Sequence, residues 1–177
     1  ITVLFGTMTV PTMAASNSPV KKTFTSATLK KTSTTYNGKK QKPAIKTVKA
    51  GKKTLKLNKD FKVYYPKNMK SAGKKVITIK GIGNTKTVTY TIKPATQKVS
   101  VSKSKLSLKR GKAATVKVKK KTGTVTWKSS NSKAVKVSKN GRISVAKKAK
   151  KGTYTITVTV KKANYKTVTK KIKVRVK

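Results

Sequence analysis

The chain of 177 residues carries 48 Lys and Arg residues against a single acidic side chain, Asp60, which gives a formal net charge of +47 at neutral pH. Because it contains no His and no Cys, it cannot assemble the usual metal sites, thiol nucleophiles or paired acid–base groups. We therefore predict a protein that is not an enzyme, has no cofactor and no metal site, and acts on no small-molecule substrate.

The first twenty residues contain no charged side chain and differ sharply from the lysine-rich remainder. Ile1 to Val10 form an apolar run of the length typical of a secretory signal, and Ala14 and Ala15 offer small residues for cleavage. We predict that residues 1–20 are a signal-peptide remnant and a disordered tail, and that the true N-terminus is missing. An apolar β-strand is the alternative. The run is too short for a membrane span, and we expect no transmembrane span elsewhere.

From Lys21 onward the hydrophobic pattern alternates with a period of two, as in the runs Tyr154 to Val160 and Ile172 to Val176. This alternation, rich in Thr, Val and Ile, is typical of half-buried strands. Turn signals such as Asn37-Gly38 and Asn140-Gly141 separate the runs. We predict an all-β protein with two tandem β-sandwiches at residues 21–93 and 99–177, joined by a linker at residues 94–98.

The second half contains an ordered set of motifs that resembles the bacterial immunoglobulin-like domain of group 2, over most of Val99 to Val176. The motifs are Leu106 to Gly111, Val125 to Asn131, Ala134 to Val145 and Gly152 to Val158. The resemblance implies that Trp127 fills the core, that Ser129 to Asn131 form a turn, and that Asn140-Gly141 closes a hairpin. A role for Trp127 as a sugar-stacking platform is the functional alternative.

The first half resembles another immunoglobulin-like repeat of exported Firmicutes surface proteins. The residues that carry this resemblance are Tyr36 to Lys39, Leu55 to Tyr65, Asn68 to Gly73 and Val76 to Asn84. Asp60 stands where the repeat usually has an Asp before an aromatic residue. The resemblance implies that Asp60 is structural, and we expect its carboxylate to accept hydrogen bonds in a turn. Both halves together predict two tandem immunoglobulin-like β-sandwich domains.

The excess of cations indicates partners that are extended anions, because the chain cannot neutralise its own charge. We predict electrostatic attachment to extracellular polyanions, namely teichoic acid, extracellular DNA or acidic glycans. Lys greatly outnumbers Arg, so recognition should tolerate different polymers. The predicted polyanion-binding residues form the densest clusters: Lys117, Lys119, Lys120 and Lys121; Lys147, Lys148, Lys150 and Lys151; Lys170, Lys171, Lys173 and Arg175.

Immunoglobulin-like domains of exported bacterial proteins commonly serve as stalks, spacers or adhesion modules, so the resemblance implies a secreted protein, released or retained at the bacterial cell surface and its envelope. A rival hypothesis is a structural subunit that self-associates through strand edges into a filament or surface layer. Disruption of anionic membranes is a third hypothesis, but the sequence lacks an amphipathic helix. For any single Lys, simple solvation of a strand face remains an alternative.

Overall fold

The computed structural model describes residues 23–177, and the predicted signal-peptide segment lies outside them. All regular structure in this part of the chain is β. The strands are β1 (Ser26–Leu29), β2 (Ser33–Thr35), β3 (Ile45–Ala50), β4 (Lys53–Thr54), β5 (Phe61–Tyr64), β6 (Gly73–Gly81), β7 (Asn84–Lys93), β8 (Ser100–Val101), β9 (Lys105–Leu108), β10 (Ala113–Thr115), β11 (Val118–Lys119), β12 (Thr124–Ser129), β13 (Val135–Val137), β14 (Arg142–Val145), β15 (Gly152–Lys161) and β16 (Val168–Val176).

The first half forms two sheets, in the orders β1-β3-β4 and β2-β7-β6-β5. A long antiparallel hairpin of β6 and β7 is the centre of the larger sheet, and β2 joins β7 in parallel. Ile77 and Ile79 on β6 and Ile92 on β7 are fully buried, whereas the Thr residues of β7 are exposed or half-buried. The period-two pattern therefore divides these strands into a core face and a solvent face.

The second half has a four-stranded sheet, β12-β15-β16-β9, opposite a three-stranded sheet, β10-β14-β13. A short pair, β8 with β11, completes it. Ile156, Ile172 and Ile143 are fully buried and belong to one hydrophobic cluster that also contains Val116 and Val135. This architecture confirms the predicted all-β sandwich class.

No strand ladder among the described residues joins the two halves, although the division into two domains stays a prediction. Residues of the predicted linker are bonded to the second half. The N–H of Ala95 donates to the carbonyl of Asn164 at 2.9 Å, and the side chain of Gln97 donates to the carbonyl of Val160 at 3.2 Å. The buried Gln97 therefore fixes this end of the linker to the second sandwich.

The halves contact each other at Asn164 and Tyr165. The N–H of Ala72 donates to the side-chain oxygen of Asn164 at 2.8 Å. The rings of Tyr36 and Tyr165 meet edge to face, with centroids 5.7 Å apart. Asn164 therefore contacts both the linker and the first half.

Asp60 completes a tight turn before β5. Its carboxylate accepts a hydrogen bond from the N–H of Lys56 at 2.8 Å, and its own N–H donates to the carbonyl of Lys56. Asn58, in the same turn, has a positive φ of 63°. The expected structural role of Asp60 is confirmed.

We expect Asp60→Ala to lower the free energy of unfolding by about 1–2 kcal/mol, because the N–H of Lys56 loses a charged acceptor. Urea unfolding followed by far-ultraviolet circular dichroism measures this change. Lys59→Ala, at the exposed neighbouring position, is the control and should shift stability by less than about 0.5 kcal/mol. Equal effects of the two substitutions would contradict the role assigned to the carboxylate.

The motifs of the second half form the local structures that the resemblance implies. The side chain of Asn131 accepts hydrogen bonds from the N–H groups of Lys133 and Ala134, which closes the predicted turn. Gly141, with a φ of 78°, lies at the turn between β13 and β14 and closes the predicted hairpin. Trp127 packs against the core cluster but is only half-buried, so its ring fills the edge of the core.

Candidate polyanion-binding surface

All twelve predicted polyanion-binding side chains are exposed, but they do not form one surface. The first cluster, residues 117–121, lies around β11. The second, residues 147–151, occupies the loop between β14 and β15. The third lies on β16. Their arrangement follows from strand direction and register.

The second cluster and the end of β16 meet at one end of the second sandwich, which we call the cationic pole. Gly152, directly after the loop, is in register with Val176, and Thr153 with Arg175. The hydroxyl of Tyr154 donates to the carbonyl of Lys150 at 2.9 Å, which ties the loop to the sheet. These contacts bring five cationic side chains to one end of the sandwich: Lys147, Lys148, Lys150, Lys151 and Arg175.

The cationic pole also contains residues that sequence reasoning missed. The turn between β9 and β10 reaches the same end, because the N–H of Gly111 donates to the carbonyl of Val145 and the N–H of Lys177 to that of Leu108. In the sequence, the basic run on both sides of Gly111 was the feature that could have indicated these residues. The added residues are Lys109, Arg110, Lys112 and Lys177.

The outer face of the four-stranded sheet carries a second basic surface. Lys171, Lys173 and Arg175 alternate with buried residues of β16 and project from this face. Lys173 is in register with Thr155 on one side and with Lys105 on the other. Like charges directly opposite each other destabilise a sheet, so a bound anion between Lys173 and Lys105 would relieve repulsion.

Lys170 lies outside this arrangement. It has the same parity on β16 as the buried Ile172 and Val174, and it is in register with the inward-facing Val158. Its side chain therefore leaves the sheet on the opposite face from Lys171 and Lys173. The third predicted cluster is divided between two faces.

The first predicted cluster lies at the linker end of the second sandwich. Lys119 pairs with Ser100, and the hydroxyl of Thr122, next to Lys121, donates to the side chain of Gln97 at 3.0 Å. The ten residues of β15 separate this end from the cationic pole, a distance of about 30 Å. A single short ligand cannot contact both ends, whereas an extended polymer can.

The second half has no acidic side chain of its own, since Asp60 lies in the first half. Most of the charge that neutralises the side chains of the cationic pole and the basic sheet face therefore comes from dissolved ions or from a bound partner. Repulsion within such a surface weakens when a polyanion binds, so binding and stability are coupled.

The first half has a basic cavity that the sequence analysis did not single out. A cavity of about 430 Å³ is lined by Lys30, Lys31, Lys40 and Lys42, with the buried Tyr90 at its wall. The ammonium of Lys42 also lies 5.2 Å from the ring centre of Tyr65, and burial raises the pKa of the Tyr65 hydroxyl above its usual value. In the sequence, the one feature that could have indicated this cavity was a set of basic pairs: Lys30-Lys31 and Lys39-Lys40.

Residues 95–172 match the family model of the bacterial Ig-like domain (group 2). This match confirms the resemblance predicted for Val99 to Val176 and covers the strands from β8 to most of β16. The second half accordingly resembles the bacterial immunoglobulin-like domain of group 2, and the described part of the chain has the all-β immunoglobulin-like sandwich fold. A comparison with curated proteins finds no match.

Several solved structures are similar at low sequence identity. Domains 4 and 5 of the S-layer protein SbsC are 23% identical, with 73% of this chain and 80% of that chain covered and a TM-score of 0.35. The longer fragment rSbsC(31-844) is 21% identical, with coverage of 89% and 28% and a TM-score of 0.36. Extracellular cadherin domains 1–4 of protocadherin gamma B7 are 10% identical, with coverage of 88% and 50% and a TM-score of 0.38.

Within residues 23–177, the structure contains no helix with the length and apolar character needed to cross a bilayer.

Proposed function

We propose that this protein is a secreted, non-enzymatic binding and scaffold module that attaches electrostatically to extracellular polyanions: teichoic acid, extracellular DNA or acidic glycans. The observation that carries the proposal is the gathering of exposed cations at the cationic pole and on the adjoining sheet face, in a half without acidic side chains. We place the protein outside the cell or at the bacterial surface, consistent with an immunoglobulin-like domain of a bacterial family.

The proposed attachment follows from the physics of charged polymers. Exposed Lys residues that recur at every second position of a strand are about 7 Å apart, a regular spacing along which an extended chain of phosphates, sulfates or carboxylates can lie. Neutralising several polymer charges releases condensed counterions, so affinity falls steeply as salt rises. Lys is a point charge without a fixed bidentate geometry, which favours tolerance over selection among polymers.

The immunoglobulin-like architecture supports a scaffolding role. Two sandwiches in tandem would hold the cationic pole at a distance from the first half, whose own basic cavity would add a second point of attachment. Attachment at two points on one polymer raises the effective affinity above that of either point alone.

The alternative function is a structural subunit that assembles through strand edges. The observation in its favour is β12, a six-residue strand that, within residues 23–177, pairs only with β15, and whose one charged residue is Lys128. An edge of this kind can pair with another chain, although repulsion between two chains of this charge opposes contact. High salt would weaken that repulsion and favour assembly.

The test is retention of the purified protein on immobilised wall teichoic acid, double-stranded DNA, heparin and neutral dextran. We expect retention on the three anionic matrices and passage through dextran, with elution as salt rises. The order of elution ranks the anions. Equal retention on dextran, or salt-insensitive retention, would contradict the proposal; assembly detected by light scattering at high salt, without polyanion, would instead support the structural subunit.

A further inference from the structure

An open cavity of about 310 Å³ lies at the linker end of the second sandwich, and we call it the Trp127 cleft. It combines the ring of Trp127 with three cationic side chains and one amide. The polar residues that line it are Lys117, Lys121, Lys139 and Asn140, and the valines that line it are Val116, Val118 and Val125. It is separate from the cationic pole, which lies at the other end of β15.

The cleft is built from segments whose backbones are fixed. Trp127 is half-buried on β12, with one edge of its ring against Gly141, where an added Cβ would lie 2.8 Å from the ring carbon Cζ2. Lys117 exchanges two hydrogen bonds with Ser102: its N–H donates to the Ser102 hydroxyl at 2.9 Å, and its carbonyl accepts from the Ser102 N–H at 2.8 Å. Lys139 belongs to the hairpin turn between β13 and β14. The backbones of Lys117 and Lys139 are therefore held beside the Trp127 ring, and their exposed side chains can reach a ligand in the cleft.

We propose that the Trp127 cleft binds one residue of an acidic oligosaccharide, a sugar ring that carries a carboxylate or sulfate group. The apolar face of a sugar would lie on the exposed part of the indole. The three Lys ammonium groups would contact the anionic substituent, and the Asn140 amide can bond to ring hydroxyls. A lining that combines apolar side chains with a few polar groups is the usual composition of a small-ligand site.

The cleft favours a sugar over a nucleobase. Proteins that bind single-stranded nucleic acid stack successive bases on several aromatic side chains along a groove. Among the described residues that line this cavity, Trp127 is the one aromatic side chain, and its ring is enclosed at one edge. This inference rests on the proposed function, since it names the acidic glycan as a ligand and gives it a site.

Trp127 is the single Trp of the chain, so its fluorescence reports directly on the cleft. The protein is titrated at about 0.15 M salt, where long-range attraction is largely screened. The probes are a heparin hexasaccharide, a galacturonic acid hexasaccharide, neutral maltohexaose, inorganic sulfate and single-stranded oligothymidylate. We expect saturable changes in emission with one or both acidic oligosaccharides and none with maltohexaose; comparing the two separates sulfate from carboxylate recognition.

Two variants with the same change in net charge distinguish the contribution of the cleft to binding from that of the overall charge. The triple variant Lys117→Gln, Lys121→Gln and Lys139→Gln should weaken the fluorescence-detected binding by about tenfold or more, because it removes charge-assisted contacts to the ligand. The control is the triple variant Lys52→Gln, Lys59→Gln and Lys67→Gln, which loses the same charge at exposed positions of the first half, outside the cleft and the cationic pole. It should change binding by less than about threefold. Circular dichroism confirms that each variant remains folded.

Equal losses in the two variants, or tighter saturation by oligothymidylate than by the acidic oligosaccharides, would overturn the assignment. So would the same emission change with inorganic sulfate alone. Unchanged emission while the protein is still retained on heparin would reject the cleft and leave the proposed function standing. Unchanged emission together with loss of retention would reject both.

Discussion

Replacement of Gly141 by Ala is expected to destabilise the second half by about 3 kcal/mol. An added Cβ would lie 2.2 Å from the carbonyl oxygen of Val116 and 2.8 Å from Cζ2 of Trp127, and the φ of 78° is unfavourable for Ala. The left-handed conformation costs about 1–2 kcal/mol, and displacement of packed groups costs about 1–3 kcal/mol. Urea unfolding followed by Trp127 fluorescence measures the change in the second half.

Gly111→Ala is the matched control, because Gly111 lies in the same half with a similar φ of 72° but more open surroundings. Its added Cβ would approach only Cγ of Lys147, at 3.4 Å, the flexible side chain of an exposed residue. We expect a loss of about 1 kcal/mol, from backbone conformation alone. If both variants lost the same stability, the close packing of Gly141 against Trp127 and Val116 would be wrong.

Neutralising the cationic pole is expected to have the largest effect on polyanion binding. In a variant with Lys147, Lys148, Lys150 and Lys151 all changed to Gln, we expect affinity for heparin at low salt to fall by about 100-fold. The physical reason is the loss of up to four phosphate- or sulfate-type contacts. Each contact that is lost should also reduce the slope of log affinity against log salt by about 0.7–0.9. Titration calorimetry across a salt series gives both quantities.

The control for this variant removes the same charge from scattered positions. The control positions are exposed and lie in different loops or turns, and their replacement by Gln lowers the net charge equally without altering the cationic pole: Lys52, Lys59, Lys67 and Lys103. We expect a fall in affinity of less than about tenfold. Equal effects of the two variants would mean that total charge, rather than the cationic pole, determines binding.

The fold was predictable wherever a local rule determined the structure. Alternation with a period of two predicted β15 and β16, because only one face of each strand is buried. Asn140-Gly141 predicted a hairpin turn because Gly adopts positive φ without strain. Asp60 could be assigned to a turn from its position before Phe61, and its hydrogen bond to Lys56 agrees.

The arrangement of the cations could not be predicted, because it depends on which strands pair and in which register. Lys105 and Lys173 are distant in sequence and become neighbours only through the parallel pairing of β9 with β16. Lys109 and Arg110 join the cationic pole for the same reason. By contrast, Lys170 and Lys171 are adjacent in sequence but lie on opposite faces of the sheet, because successive side chains of a strand point in opposite directions.

Alternation also failed to predict the environment of Lys75. This residue lies on the inward face of β6, in register with Tyr90, and only 8% of it is exposed. Its ammonium group donates to the hydroxyl of Ser71 at 3.1 Å. The polar end of a long side chain can thus reach a partner at the edge of the sandwich while its methylene groups pack inside.

The most direct test of electrostatic attachment is the salt dependence of the affinity of the unaltered protein for wall teichoic acid. We expect log affinity to fall linearly with log salt, with a slope of about −3 or steeper, which corresponds to the neutralisation of several polymer charges. A slope near zero, with measurable affinity, would contradict attachment through the cationic surfaces and show that the bound state depends on uncharged contacts.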